Sequence, residues 1–407
     1  MEQAMTKSLT IKCAWLQGLY WMSFCSIYSF ASAFLLAKNF ENQQIGILMA
    51  VSNIISVILQ PTIGSLADKS SRISLKLIIS CLASTDILFL TGMVATPGNR
   101  VVNAVLYSAA LALMLTFQPL LNSLIFEYIN EGNNVNYGIA RGVGSVSFAL
   151  ISYLLGLLIN RYHPYFLPFV CIGLLACMLF VVQTLPATKR KEKKEKAITD
   201  FSRKILSGGF FRFLKKYDRF PLFLLALAFL FIFHTIVNTY LVQMMQHLGG
   251  NDGDVGLSLM IAALCELPAM LGFGYLISKF KSGNLLKFSG FFYVVRSLLF
   301  LFSTSVLMLN FTQILQGLSF AIYVPASVYY VNQLMKKEDK VKGQTFIVGS
   351  STLGSVFGSI LGGWLLDHAG VGAMLLLGTV AAAVGCLLLF YSVKTNMENT
   401  EVEDSSL

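Results

Sequence analysis

The chain has 407 residues, of which 56% are apolar and 12% charged, and its formal net charge is +10. Soluble domains carry roughly 25% charged residues, so this composition cannot build a water-exposed surface around a core. It excludes an ordinary soluble enzyme and leaves the surplus of cations to be explained by where they fall.

Apolar stretches recur along nearly the whole length, each long enough to cross a hydrocarbon core about 30 Å thick. Backbone groups in lipid must bond internally, so these stretches are helices. In chain order the predicted spans are 14–37, 45–66, 74–94, 101–126, 139–160 and 165–185, then 220–244, 254–277, 285–303, 306–331, 344–366 and 370–393. Only Ser303, Thr304 and Ser305 separate the ninth from the tenth, and one long span through both is the alternative. The first span, with Lys7 and Lys12 ahead of it and Ala31, Ser32 and Ala33 near its end, resembles a signal peptide. Its apolar stretch exceeds the roughly 7 to 15 residues of a signal core, so it is read as an uncleaved helix.

The charge distribution orients the spans. With both termini in the cytoplasm, only Lys38, Arg100 and Arg161 of the 30 Lys and Arg fall in external loops, as the positive-inside rule demands. Twelve basic and four acidic residues lie between Lys189 and Arg219, which holds most of the excess charge in one segment. A solvated, lipid-facing linker accounts for that run, and nucleic acid is not an expected partner.

The expected fold is an all-α membrane protein with twelve transmembrane helices in two pseudo-symmetric six-helix bundles. Its parts are an N-terminal bundle 1–187, a cytoplasmic basic linker 188–219, a C-terminal bundle 220–394 and an acidic cytoplasmic tail 395–407. The seven cysteines have no paired spacing and no nearby His, which supports neither a disulfide framework nor a zinc site. A nucleotide-binding loop, a metal-ligand cluster and a nucleophile motif are all missing, so no cofactor and no enzyme activity are expected.

Internal echoes join the halves. The loop after the second span carries Gly64, Asp68, Lys69 and Arg72, and the loop after the eighth carries Gly274, Ser278 and Lys279, offset by 210 residues. Gly138 and Gly144 in the fifth span echo Gly343 and Gly349 in the eleventh at an offset of 205. Repeats on this scale mark transporters that rock two related bundles about a central site.

The Gly64, Asp68, Lys69, Arg72 pattern resembles the loop signature of the major facilitator superfamily, departing at Ser71 where that family usually has Gly. Within it, three stretches resemble the oligosaccharide:proton symporters, the lactose permease-like transporters. These are Ile45 through Gln60, Pro61 and Asp68; Tyr137 through Arg141 to Gly144; and Cys265, Glu266 and Leu267 with Val295 and Arg296. The resemblance implies a gating role for the Gly64 to Arg72 loop and a sugar-binding role for Arg141. It also sets Phe148 in the place of a sugar-stacking aromatic residue and Glu266 in that of a binding glutamate. On the spans that line the cavity in this family it points to Tyr20, Trp21, Phe24, Tyr28, Gln118, Asn122, His234, Asn238, Gln243, Gln316 and Tyr323. Asn122, Thr235, Asn238, Gln316, Ser319 and Tyr323 stand where the family has ionisable residues, so most of its proton relay is replaced by neutral groups.

Four charged residues lie inside spans: Asp86, Arg141, Glu266 and Arg296. Each costs at least about 2.5 to 3.5 kcal/mol on insertion scales and is a site candidate for that reason. Asp86 follows Gly64 by 22 residues and Arg296 follows Gly274 by 22, which puts opposite charges at equivalent depths in the third and ninth spans. Two pairings are expected from this, Asp86 with Arg141 and Glu266 with Arg296. Glu266 is the first candidate for proton coupling with Arg296 tuning it, and His234 and Asp86 are the others. The function expected is proton-coupled symport of a sugar or sugar-like solute by a monomer in the cell membrane, in contact with lipid. Export of amphipathic or aromatic compounds and a non-transporting membrane sensor are the competing readings.

Overall fold

A computed structural model of the chain describes residues 2–69, 74–186, 213 and 216–394. The linker from 188 to 212, Arg72 of the loop signature and the tail 395–407 lie outside the described residues. The Asp68 and Lys69 side chains lie outside them as well, although the second span's helix runs through both positions as Asn42–Lys69.

Every regular element described is helical. The second to seventh spans are Asn42–Lys69, Leu75–Ala95, Arg100–Asn130, Tyr137–Tyr162, Leu167–Thr184 and Phe220–His247. The ninth is Ser282–Leu301, ended by Phe302, and the tenth starts at Val306, so the single long span does not form. Ser305 enforces the restart, its side chain accepting the Met308 amide at 3.3 Å as an N-cap.

Four spans are broken where hydropathy predicts one helix, the seventh by a kink at Tyr240, where φ is −112° and ψ 22°. The first runs as Glu2–Phe24, a π-turn Cys25–Ser29, and Ala31–Ala37, with a bend of 45°. Backbone carbonyls there find other donors: Ser23 O takes the Ser26 hydroxyl at 2.7 Å and Ile27 O takes the Tyr107 hydroxyl at 2.5 Å. The eighth runs as Asp252–Leu271 and Phe273–Lys279. Pro268, inside its first piece, has no amide hydrogen to continue the ladder. The tenth passes through Val306–Gln313, a tight turn Ile314–Gln316, and Phe320–Leu334.

The eleventh and twelfth predicted spans are two helices within the run Lys340–Ser392 that meet at Gly370, whose φ is 79° and ψ −177°. At 1.5 Å per residue, 53 residues would make a straight rod of about 80 Å, far beyond a bilayer core. The run therefore serves as two spans that reverse at Gly370. With the bent first span counted once, the described residues supply twelve spans.

The chain clusters into two compact units. One comprises Met1–Phe211 with Asn251–Met260, the other Arg212–Gly250 with Ile261–Leu407. The first part of the eighth span thus belongs to the first unit. It crosses the fifth span glycine on glycine, where a Cβ on Gly156 would sit 2.8 Å from the Gly256 Cα. In the second unit Gly354, Gly358 and Gly362 recur every four residues and press one helix face on the seventh span. A Cβ on Gly358 would lie 2.7 Å from Ile232 O, and one on Gly362 would lie 2.8 Å from the Tyr240 ring. Small residues that let backbones meet are the usual means of helix association in lipid.

One end of the second unit is tied by charge. Asp339 accepts from Lys216 Nζ at 2.6 Å, Lys342 Nζ at 3.1 Å and the Tyr217 hydroxyl at 3.1 Å. Its partial burial works to raise the carboxyl, but these donors outweigh it and hold Asp339 below the ordinary carboxylate value. A depressed acid contributes its stability above the unfolded value near about 3.9, and loses it as pH falls through the lower folded value. Asp339→Asn is therefore expected to melt below wild type by a constant margin from about pH 7 to pH 5, with the margin closing below about pH 4. Melting curves of both proteins across that range test it, and a margin unchanged down to pH 3 would remove this assignment.

Candidate functional site

Two clusters of hydrogen-bonding and aromatic side chains lie inside the apolar spans, one in each unit. In the first unit, Asn122 Oδ1 of the fourth span accepts from Gln17 Nε2 at 3.0 Å, the Tyr137 hydroxyl at 3.3 Å and Gln118 Nε2 at 3.4 Å. Beside it Arg141 donates from Nη1 to Ser145 Oγ at 2.8 Å and lays its guanidinium 4.5 Å from the centre of the Trp21 ring. Such a stacked cation gains about 0.5 to 2 kcal/mol while its remaining donors stay directed. Trp21 also meets Phe148 edge-on at 6.2 Å, Tyr20 at 5.3 Å and Phe24 at 5.4 Å. Phe24 stacks on Tyr28 at 4.6 Å.

Gly144 makes this approach possible, because a Cβ there would come 2.6 Å from Trp21 Cδ1. Gln17 is a member that the sequence reading passed over. It is fully buried, and with Trp21, Phe24 and Tyr28 it follows a spacing of four, three and four residues, which is one helix face. That spacing was the available signal.

Asp86 stands apart from this cluster. Its side chain is 0% exposed and neither carboxyl oxygen has a hydrogen-bond partner. The expected pairing with Arg141 is not made: both carboxyl oxygens are without a hydrogen-bond partner, and Asp86 lies within electrostatic reach of Cys171 in the sixth span. Equal depth along a helix does not fix the direction in which a side chain leaves it.

In the second unit, Glu266 Oε1 of the eighth span accepts from Gln316 Nε2 at 2.9 Å. Gly317 allows this contact, because a Cβ there would drive into the Cys265 carbonyl, 3.1 Å from its carbon. Arg296 is buried and donates from Nη2 to Gln313 Oε1 at 2.7 Å. Its Nε and Nη1 have no hydrogen-bond partner, so its relation to Glu266 is one of electrostatic reach and not of a bonded ion pair. Gln313, three residues before Gln316 and on the same side of the span, was also passed over in the sequence reading.

His234 stacks on Phe320 at 4.4 Å with planes 9° apart, and its Nε2 lies 3.0 Å from Asn238 Nδ2. With the amide donating, Nε2 accepts and the ring proton sits on Nδ1, which has no partner. Tyr323 meets Ser351 Oγ at 3.3 Å and Phe231 at 5.5 Å. His234, Asn238, Glu266, Gln316 and Tyr323 thus gather into one neighbourhood of three elements, the seventh, eighth and tenth spans, with Arg296 entering from the ninth.

Buried polar atoms in lipid-embedded helices, arranged about broken spans, are the mark of a solute pathway. Residues 13–376 match the sequence profile of the MFS_1 like family. The chain belongs to the MFS_1 like family. This MFS_1-like chain is 24% identical over 385 residues to the uncharacterized transporter YwbF of Bacillus subtilis (strain 168), covering 93% of each protein. It is 25% identical over 380 residues to the maltose permease of Geobacillus stearothermophilus, covering 92% of each. Among solved structures it resembles the nucleoside transporter NupG, with a TM-score of 0.77 at 17% identity over 94% of this chain and 98% of that one. At that identity the likeness establishes the fold, which is that of the major facilitator transporters.

Proposed function

We propose that this MFS_1-like protein moves a neutral, polyhydroxylated solute, a sugar or a sugar-like molecule, coupled to protons by alternating access. The observation that carries the proposal is the chemistry of the first-unit cluster. Trp21 Nε1, Gln17 Oε1 and Gln118 Oε1 are buried polar atoms without hydrogen-bond partners, set beside a stacked arginine and a wall of aromatic rings. Buried polar groups left unpaired cost about 1 to 3 kcal/mol each. Hydroxyl groups on a ring satisfy such atoms, and the ring's carbon face suits Trp21 and Phe148. The maltose permease and the nucleoside transporter among its relatives, both named for sugar-bearing solutes, agree with this chemistry.

Thermal-shift measurements on purified protein with sugars, nucleosides and aromatic acids test the substrate class. A sugar or nucleoside is expected to raise the melting temperature. Stabilisation by aromatic acids alone would overturn the reading in favour of export of aromatic compounds.

Orientation follows from charge placement, with both termini and the basic linker cytoplasmic. Reporter fusions at Lys194 and at Asp252 are expected to report opposite sides of the membrane. Matching signals at the two sites would exclude this orientation.

A further inference from the structure

The described residues of the first unit line a half-open cavity of about 540 Å³, which the solute clusters do not touch. Lys38 and Asn39 line it from the end of the first span, Met93 and Val94 from the end of the third, and Tyr165 and Phe169 from the start of the sixth. Arg100, the first residue of the fourth span, completes the wall, and no Asp or Glu lines it. Lys38, Arg100 and Arg161 are the only basic residues at the span ends opposite the linker, and two of the three converge here.

Neither cation has a carboxylate partner among the described residues, and Glu41, three residues from Lys38, pairs with neither. Lys38 Nζ makes one long contact, to Pro97 O at 3.5 Å, and lies 5.0 Å from the centre of the Tyr165 ring. Arg100 uses Nη2 alone, donating to Asn39 O at 2.5 Å and Gln44 Oε1 at 3.1 Å, which leaves Nε and Nη1 of its fork unspent. An ammonium and a half-used guanidinium converging on one cavity form a receptor for phosphate oxygens. The rest of the lining is apolar, and Phe169 and Tyr165 are 58% and 46% exposed where aromatic residues meet the headgroup region.

We propose that this cavity binds a phosphate-bearing anion, the phosphodiester headgroup of an anionic phospholipid. Its phosphate lies between Lys38 and Arg100, and its acyl region runs along Val94 and the exposed Phe169. The inference is independent of which solute is transported.

The test is binding of phosphatidylglycerol, phosphatidylcholine and inorganic phosphate to the purified full chain in neutral detergent, followed by native mass spectrometry and melting temperature. Phosphatidylglycerol is expected to bind more tightly than phosphatidylcholine. Lys38→Gln is expected to weaken it roughly fivefold and Lys38→Gln with Arg100→Gln roughly 25-fold, in line with the contribution of one basic residue at an anionic surface. If inorganic phosphate competes with the same dependence on both cations, the anion site stands and its ligand is soluble phosphate. If it does not compete, the ligand is the lipid. Equal binding of the two lipids overturns the proposal. So does wild-type phosphatidylglycerol affinity in the Lys38→Gln variant, which gives up one long hydrogen bond and the cation–ring contacts with Tyr165 and Phe34 and so reads the site even where the double variant folds poorly.

Discussion

Arg141→Lys is expected to weaken solute binding by roughly 10- to 100-fold while leaving the protein folded, although the charge is kept. Arg141 is held on two sides, by Ser145 Oγ at 2.8 Å and by the Trp21 ring at 4.5 Å, and the stack fixes the plane in which its remaining donors point. A lysine ammonium is a point charge on a flexible stem. It cannot present two parallel donors to adjacent hydroxyl groups, and it stacks less well on an indole. The loss corresponds to one charge-assisted hydrogen bond of about 1.5 to 3 kcal/mol. Titration of whichever solute stabilises the wild type measures the effect directly. A lysine variant that binds as tightly as wild type would show that Arg141 serves the packing of the first and fifth spans instead.

The second large effect is expected at Glu266. Glu266→Gln keeps the shape of the side chain and an oxygen able to accept from Gln316, so exchange of labelled solute across the membrane should persist within a few-fold. Uphill accumulation driven by a proton gradient should fall at least about tenfold, because an amide cannot load and release a proton. The two readouts separate binding from coupling in one variant. If Glu266→Gln still concentrates solute, the coupling group is another one. Asp86, with both carboxyl oxygens buried and unpartnered, is then the next residue to replace, followed by His234.

Much of the fold was legible in the sequence because span length and hydropathy are set by the bilayer, a constraint that composition alone satisfies. The breaks were less legible. The π-turn at Cys25–Ser29 has no proline or glycine to announce it and is held by carbonyl contacts from Tyr107 and Ser26. The break between the eleventh and twelfth spans, by contrast, was legible, since Asp367 and His368 lower the hydropathy just before Gly370, where the two helices meet. In the clusters, charged candidates announce themselves by their insertion cost, whereas Gln17 and Gln313 are neutral and emerge only when positions are read by helix face. The pairing of Asp86 with Arg141 failed because repeat symmetry gives height in the membrane and leaves rotation about the helix axis open.

The reversal at Gly370 has a bearing on biosynthesis. A backbone with φ 79° and ψ −177° is open to glycine and closed to L-residues, and nearly the whole turn is made at that one position. The connection between the last two spans is therefore short, with the exposed Asp367 and His368 just before the turn. With so short a connection the two arms are antiparallel neighbours as soon as both have been made. A side chain at Gly370 would strain the turn that brings the chain back toward the side where Lys340 begins.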